Sequence, residues 1–267
     1  MLYIVATPIG NLGEITFRAV EVLSKVNYIL CEDTRTSKVL LDKYEIKNKC
    51  VAYHKFNENK QVEMIVNDLK NGLDIALISD AGMPGISDPG NILVNALIAN
   101  DLKYTVVSGP SALINAFVLS GYSTPFTFIG FLPEKNSAKN ELLQELSNYK
   151  SSLIFYISPH NLTETFEILS KNLGDKNCCI VREISKMFEE VAFSTLQKGF
   201  EGTEKGEFVL IVEGANNDQN ELNNLTIEEH LKYYLNLGES KNNAIKLVAK
   251  DRNLKKNDVY KIAVDLE

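Results

Sequence analysis

The chain has 267 residues, 45% hydrophobic and 24% charged, with a net charge of −7. That balance excludes a disordered chain and argues against a protein that coats nucleic acid non-specifically. No run approaches the eighteen or so apolar residues of a membrane span, and the opening Met1-Leu2-Tyr3-Ile4-Val5-Ala6 lacks a basic segment before its apolar residues, so a cytoplasmic protein without membrane contact is expected.

Residues 2–6 predict a first strand, ending in the glycine-bearing loop Thr7-Pro8-Ile9-Gly10-Asn11-Leu12-Gly13. Phe17, Val20 and Leu23 recur at helical spacing before residues 28–31 resume a strand, and this opening makes parallel pairing the economical arrangement. Glu32-Asp33-Thr34-Arg35 ends the second strand with both signs of charge together, and residues 37–44 predict a helix. Residues 50–54 give a third strand. Asn57 is placed to cap the helix that follows, with Val62, Ile65, Val66 and Leu69 as its apolar stripe and Gly72 as its stop.

The apolar run 74–78 then leads into the most informative stretch, residues 79–90. Gly82, Gly85 and Gly90 with Pro84 and Pro89 end any regular element, yet the same loop carries Asp80, Asp88, Ser79, Ser87, Met83 and Ile86. Carboxylates there can accept hydrogen bonds from hydroxyls or offset a positive charge, and glycines let backbone approach a ligand closely. The plain alternative is a surface connection. A helix over 92–99, a strand over 104–107 and a third small-residue junction, Ser108-Gly109-Pro110-Ser111-Ala112, follow. In a parallel sheet these junctions gather at the carboxyl edge, where open α/β sheets hold ligands.

Gly121-Tyr122-Ser123-Thr124-Pro125 breaks the alternation. Strands are predicted over 126–131, 153–157, 178–182 and 208–212, with helices over 139–149 and 161–172, a less regular order that suits a mixed sheet. Residues 215–220 are a polar linker, and from Leu225 a small helical unit is expected, with one helix over 244–249, a turn at 253–256 and a second helix capped by Asp258. Between Lys241 and Lys261 seven basic residues face two acidic ones, reversing the sign of the whole chain. The expected organisation is an α/β fold: an N-terminal domain with a parallel-rich sheet over 1–120, a second α/β domain with a mixed sheet over 121–214, and a basic helix-turn-helix-like unit over 221–267.

The sequence has no Walker A, GxGxxG or GxSxG motif, and the three junction loops hold no lysine for phosphates. Those loops suit a compact ligand with an apolar part, hydroxyls and positive charge, such as an adenosine joined to a charged amino-acid tail, at least as well as a nucleoside triphosphate. Four cysteines (Cys31, Cys50, Cys178, Cys179) without CxxC spacing and three scattered histidines signal neither a disulfide framework nor a metal site; reduced, mostly buried thiols are expected.

Six segments in order, Ala6-Thr7-Pro8-Ile9-Gly10-Asn11-Leu12-Gly13, Cys31-Glu32-Asp33-Thr34-Arg35, residues 79–90, Ser108-Gly109-Pro110-Ser111-Ala112, Gly130-Phe131-Leu132-Pro133 and Arg182-Glu183-Ile184-Ser185-Lys186, carry a resemblance along nearly the whole chain. The chain resembles the small-subunit (16S) ribosomal RNA cytidine 2′-O-methyltransferases, a branch of the tetrapyrrole methylase superfamily. Where porphyrin-pathway relatives have a glycine-rich first loop, Thr7-Pro8-Ile9-Gly10-Asn11-Leu12 looks like the RNA branch. Two departures stand out: Ile157 and Asn161 replace an acidic residue and an arginine, and Ser185 replaces threonine before Lys186.

The resemblance implies two α/β domains with S-adenosylmethionine in the cleft between them, a homodimer, and a C-terminal extension. It implies a cofactor pocket of Pro8, Gly10, Leu12, Asp80, Met83, Ile86, Ser87, Gly109, Pro110 and Ala112, with Asp80 doing the most polar work. Arg182, Glu183 and Lys186 are the catalytic candidates: Arg182 and Lys186 for phosphate contact, and Glu183 or a Lys186 of depressed pKa for taking the hydroxyl proton. His54 is a further candidate base, and a satisfied salt-bridge network is the competing reading of the cluster. Arg35, Lys246, Lys250, Lys255 and Lys256 are expected to contact RNA in the small ribosomal subunit. A porphyrin-like small-molecule methylase and a non-enzymatic nucleic-acid-binding regulator remain as rivals; the first lacks use for the basic C-terminal unit, and the second leaves the junction loops idle.

Overall fold

Strands covered by helices on both sides must be apolar on both faces, and two segments of the first half meet that demand along their whole length. A computed structural model describes residues 1–147, 149–214, 222, 225–252 and 254–264. The first sheet comprises β1 (Leu2–Val5), β2 (Tyr28–Cys31), β3 (Cys50–Ala52), β4 (Ile75–Ile78) and β5 (Tyr104–Val107), all parallel, in the order β3-β2-β4-β1-β5. Every residue of β2 and β4 is buried. Helices α1 (Phe17–Lys25) and α2 (Thr34–Lys43) cover one face through Ala19, Leu23 and Leu41; α3 (Glu58–Lys70) and α4 (Asn91–Ala99) cover the other through Ile65, Leu69, Leu93 and Leu97.

Helix α5 (Ala112–Ser120) turns away from that sheet and packs on the second one. The second sheet is mixed, as expected: β6 (Phe126–Gly130), β7 (Ser152–Ile157), β8 (Asn177–Arg182), β9 (Glu190–Thr195) and β10 (Phe208–Val212) run in the order β6-β7-β10-β8-β9, with only β6 and β7 parallel. Its side chains alternate between two cores. Phe155, Ile180 and Leu210 pack with α6 (Asn136–Leu146) and α7 (Leu162–Leu173), whereas Ile154, Cys179, Val181 and Val209 pack with Ala116 and Phe117 of α5 and with Ile9 of the first loop. This second cluster joins the two sheets. A third unit of α8 (Ile227–Asn236), α9 (Lys241–Asp251) and α10 (Lys256–Val264) has its own core of Leu231, Ile245, Val248 and Val259.

Several expectations need correction. Phe17 is 98% exposed, because the buried face of α1 is set by Ala19 and Leu23 and lies on the other side of the helix. Asn57 makes no side-chain cap; its Oδ1 accepts from the His54 N–H at 2.8 Å and its amide donates to the Ala52 carbonyl, fixing the turn before the helix instead. Strand β9 was not expected, and its outward Val191 and Phe193 explain why: on this edge strand the apolar side chains mark the exposed face. In the third unit Asp258 sits within the first turn of α10 rather than at its cap, paired with Lys261 at 3.7 Å, and three helices stand where two were expected. Thr226 and Ser240 are the side-chain caps there, Thr226 as part of a capping box with Glu229. The linker 215–220, the beginning of the unit at 221, and Asn253 in the expected turn lie outside the described residues. The four cysteines are free, and Cys31, Cys178 and Cys179 are buried.

The close packing of the β1 and β5 ends gives a first test. A Cβ added at Gly109 would lie 2.8 Å from the Ala6 Cβ, closer than two carbons can sit. Gly109→Ala is therefore expected to lower the stability read from urea unfolding by about 1–3 kcal/mol, the usual cost of an overpacked site; an unchanged midpoint would contradict the packing described.

Candidate functional site

Because the first sheet is parallel, the loops after β1, β2, β4 and β5 all leave from one edge. Two of them are tied by a reciprocal backbone pair: the Thr7 N–H donates to the Gly82 carbonyl at 2.9 Å and the Gly82 N–H to the Thr7 carbonyl at 3.1 Å, while the Thr7 hydroxyl donates to the Ser79 carbonyl at 3.2 Å. A third joins through Asp80, whose Oδ1 accepts from the Asp33 N–H at 3.1 Å. Above this platform lies a cleft of about 350 Å³, within the range of small-molecule sites.

The near wall of the cleft is Asp80, Met83, Ile86, Ser87 and Asp88 from the central loop with Ile9, Ser111 and Ala112 from its neighbours. The far wall comes from the second sheet and its turns: Tyr156, Ser158 and Pro159 at the end of β7, Ile184 after β8, and Glu207 to Val209 entering β10. Phe131 stands at the mouth, 58% exposed, with its ring edge-on to Tyr156 at 5.6 Å. Of the residues expected from the sequence, Asp80, Met83, Ile86, Ser87 and Ala112 line the cleft, whereas Pro8, Gly10, Leu12, Gly109 and Pro110 do not. Leu12 accepts the Tyr44 hydroxyl on its carbonyl at 2.7 Å, and an added Cβ at Gly10 would fall 2.5 Å from the Lys186 Cγ. Gly10 is thus the point at which the Arg182–Lys186 segment of the far wall seats on the first loop.

The near wall is electrostatically primed for a cation. Burial pushes the Asp88 carboxyl up to about 6, helped by the negative charges of Glu32 and Asp80. Glu32 is likewise raised by burial and by Asp80, and Asp80 by burial above all. Asp33 behaves oppositely: Arg35 holds its carboxyl down at about 2 through a 2.6 Å ion pair. Three partly desolvated carboxylates raise one another's cost, and a bound positive charge would relieve it. Their setting, an apolar cleft with acids on one wall, fits a ligand with an apolar body and a cationic tail. Among the described residues no group of three metal-ligating side chains occurs.

The far wall carries an ion-pair network. Lys186 Nζ donates to Glu183 Oε1 at 2.8 Å and to Glu207 Oε2 at 3.0 Å. Burial alone would favour the neutral amine, but the two carboxylates hold Lys186 above the ordinary lysine value. The depressed pKa expected of a lysine base is therefore not found. Glu183 is pushed up by burial but brought below its usual range by Lys186 and by the Glu207 N–H. Arg182 is turned from the cleft, bonded to Glu190 at 3.0 Å and to the Lys205 carbonyl at 3.1 Å. Glu183 and Ser185 adopt φ of +50° and +63°, a left-handed backbone that non-glycine residues hold only under constraint. His54 acts on the acidic group from the side, lowering the pKa of Glu32.

The remaining candidates lie elsewhere. Arg35 is exposed at the rim. Lys246 and Lys250 on α9 and Lys255 and Lys256 before and at the start of α10 are all exposed. Arg252, counted with them in the basic stretch, is spent internally: its Nε donates to His230 Nδ1 at 3.1 Å and its Nη2 to the Leu222 carbonyl at 2.8 Å. The residues that sequence reasoning missed are chiefly on the far wall, Tyr156, Pro159 and Glu207. Glu207 had one weak signal, its position directly before the wholly apolar run 208–212.

Comparison with known proteins bears on this geometry. The sequence profile of the Tetrapyrrole (Corrin/Porphyrin) Methylases matches residues 1–198. The chain is 42% identical to the ribosomal RNA small subunit methyltransferase I of Halalkalibacterium halodurans, covering 98% of this chain and 93% of that protein. It is 38% identical to its counterpart in Bacillus subtilis, over 97% and 92%. Among solved structures it superposes on the methyltransferase CobJ with a TM-score of 0.61 at 16% identity, covering 80% of this chain and 94% of that one. On the uroporphyrin-III-C-methyltransferase of Thermus thermophilus the TM-score is 0.57 at 16% identity, covering 79% and 93%. At such identities the two structures establish a shared two-sheet α/β fold and nothing of substrate.

The raised carboxyl of Asp88 gives a pH-dependent test. Its protonated form is favoured on folding, so the stability it contributes is present at low pH and is lost as pH rises through about 6. Asp88→Asn is expected to be more stable than the unaltered protein at pH 8, by about 1 kcal/mol once solvent screening is allowed for. The two should converge toward pH 4; equal urea midpoints at both pH values would contradict the assignment.

Proposed function

The chain belongs to the ribosomal RNA small subunit methyltransferase I family within the Tetrapyrrole (Corrin/Porphyrin) Methylases, and from that premise we propose that it methylates the 2′-hydroxyl of a cytidine ribose in the decoding region of small-subunit (16S) ribosomal RNA. S-adenosylmethionine is the methyl donor, and it supplies a methyl group carried on a positively charged sulfur. The single observation that carries the reading is the cleft itself, acidic on one wall, apolar in its body, and bounded on the other by Glu207, whose carboxylate is held by Lys186 from outside the lining.

The proposed roles follow from position. Met83, Ile86 and Ala112 give the donor's adenosine an apolar bed, with Ser87 as a hydroxyl at its edge. Asp80 and Asp88 accept from ribose hydroxyls or the donor's ammonium, and a cation beside them stabilises the ionised forms that burial opposes. Pro8, Gly10, Leu12, Gly109 and Pro110 shape the platform. Excluding water and aligning oxygen, methyl and sulfur is the main task of such a cleft, since positioning alone is worth on the order of 7 kcal/mol in favourable intramolecular models. Lys186, held protonated by Glu183 and Glu207, positions the Glu207 carboxylate; Arg182 braces the loop that carries Glu207; Glu183 keeps Lys186 in place.

Arg35 and the exposed Lys246, Lys250, Lys255 and Lys256 are the proposed phosphate contacts, basic groups on a chain of net charge −7. The units 1–120, 121–214 and 221–267 would then serve as donor platform, lid and RNA dock. Val106 on the edge strand β5 and Ile114 and Val118 of α5 are exposed apolar side chains, which supports a homodimer; the small ribosomal subunit and the cytoplasm are the proposed partner and place.

Incubation with labelled S-adenosylmethionine and small ribosomal subunits, naked ribosomal RNA or a porphyrin precursor tests the reading. Label is expected in RNA at one alkali-resistant cytidine linkage; label in the porphyrin precursor alone would overturn it. For the cofactor side, Asp80→Ala is expected to weaken donor binding by about ten-fold or more, the loss of one charge-assisted contact, in a calorimetric titration. Unchanged affinity would remove Asp80 from the site.

A further inference from the structure

The two glutamates that hold Lys186 are not equivalent. Glu183 is only 18% exposed along its side chain, and its Oε1 already accepts from both Lys186 Nζ and the Glu207 N–H, each at 2.8 Å. It does not line the cleft. Glu207 does; its side chain is 74% exposed, and only its Oε2 is engaged, by Lys186 at 3.0 Å. A base must reach the proton it removes, and of these two only Glu207 lines the cleft and has a mostly exposed carboxylate side chain.

The surroundings fix where that carboxylate points. The Glu207 N–H is anchored on Glu183, the loop before it is held by the bond from Arg182 to the Lys205 carbonyl, and its own Oε2 is gripped by Lys186. The stem of Lys186 in turn lies against Gly10 so closely that no side chain fits there, which couples the network to the donor platform. The charged groups facing Glu207 are Lys186 and Glu183; Arg182 is committed to Glu190 and to a carbonyl.

We propose that Glu207, rather than Glu183, is the catalytic base of the methyl transfer. The inference rests on the methyltransferase reading above. As the ribose oxygen forms its bond to the methyl carbon and the sulfur–methyl bond breaks, the hydroxyl proton passes to the Glu207 carboxylate, and the electron pair of the broken bond stays on sulfur, which becomes neutral. Lys186 remains protonated and steers the carboxylate; Glu183 is a positioning residue that acts through it.

Single-turnover methyl transfer to small-subunit RNA from labelled S-adenosylmethionine tests this in the full chain. Glu207→Gln is expected to lose about 10²–10⁴-fold in rate and to keep donor affinity within about two-fold by calorimetry, and Glu207→Asp is expected to regain part of that rate. Glu183→Gln is expected to lose less, because the base is still present. Glu207 is mostly exposed, so the substitution leaves the core untouched. If Glu207→Gln keeps the wild-type rate, or if Glu183→Gln loses as much as Glu207→Gln, the assignment is overturned. An unaltered protein that methylates no RNA would instead overturn the reading on which it rests.

Discussion

A pair of backbone hydrogen bonds between Thr7 and Gly82 governs the arrangement of this protein's cleft. Only neighbouring parallel strands bring the ends of β1 and β4 close enough for their loops to bond reciprocally, and that neighbourhood exists because both strands are apolar and find partners in a helix-covered sheet. Once the two loops are joined, Asp80 is held where the Asp33 N–H can reach it, so a third strand end is fixed by the same junction. The second sheet then has a rigid platform on which to seat. It does so through Ile9, Ala116 and Phe117 on one side and through Lys186 against Gly10 on the other.

The charge on the two walls follows one logic. Acids gathered in a partly desolvated place cost free energy, visible in the raised carboxyls of Glu32, Asp80 and Asp88. A fold selected for stability alone would spread them apart or pair them, as it pairs Asp33 with Arg35. The far wall shows the complementary case, a lysine that burial would neutralise but that two glutamates keep charged. A cationic donor beside the first wall is the partner that its local charge lacks, whereas the second wall balances its lysine from within.

The first half of this fold was legible because continuous apolar runs as short as residues 28–31 and 75–78 suit strands buried on both faces, and because glycine and proline punctuate the loops between them. Edge elements were less legible. Strand β9 turns Val191 and Phe193 outward, so its pattern did not reveal a core-facing side, and Asn57 found better partners in the preceding turn than at the helix it precedes. The near wall of the site was readable from local chemistry, since Asp80, Met83, Ile86 and Ser87 share one loop. The far wall was not: Tyr156, Pro159 and Glu207 come together only through the order β6-β7-β10-β8-β9, which depends on long-range pairing that no local pattern encodes.

The central claim is that the cleft between the two sheets holds S-adenosylmethionine with its charged end toward the carboxylates of the central loop. A crystal structure of the protein with that donor measures it directly. The account predicts the adenine between Met83, Ile86 and Ala112, a polar contact to Asp80 or Asp88, and the methyl group directed toward Glu207. Donor bound elsewhere, or bound with its sulfur turned from that wall, would contradict it.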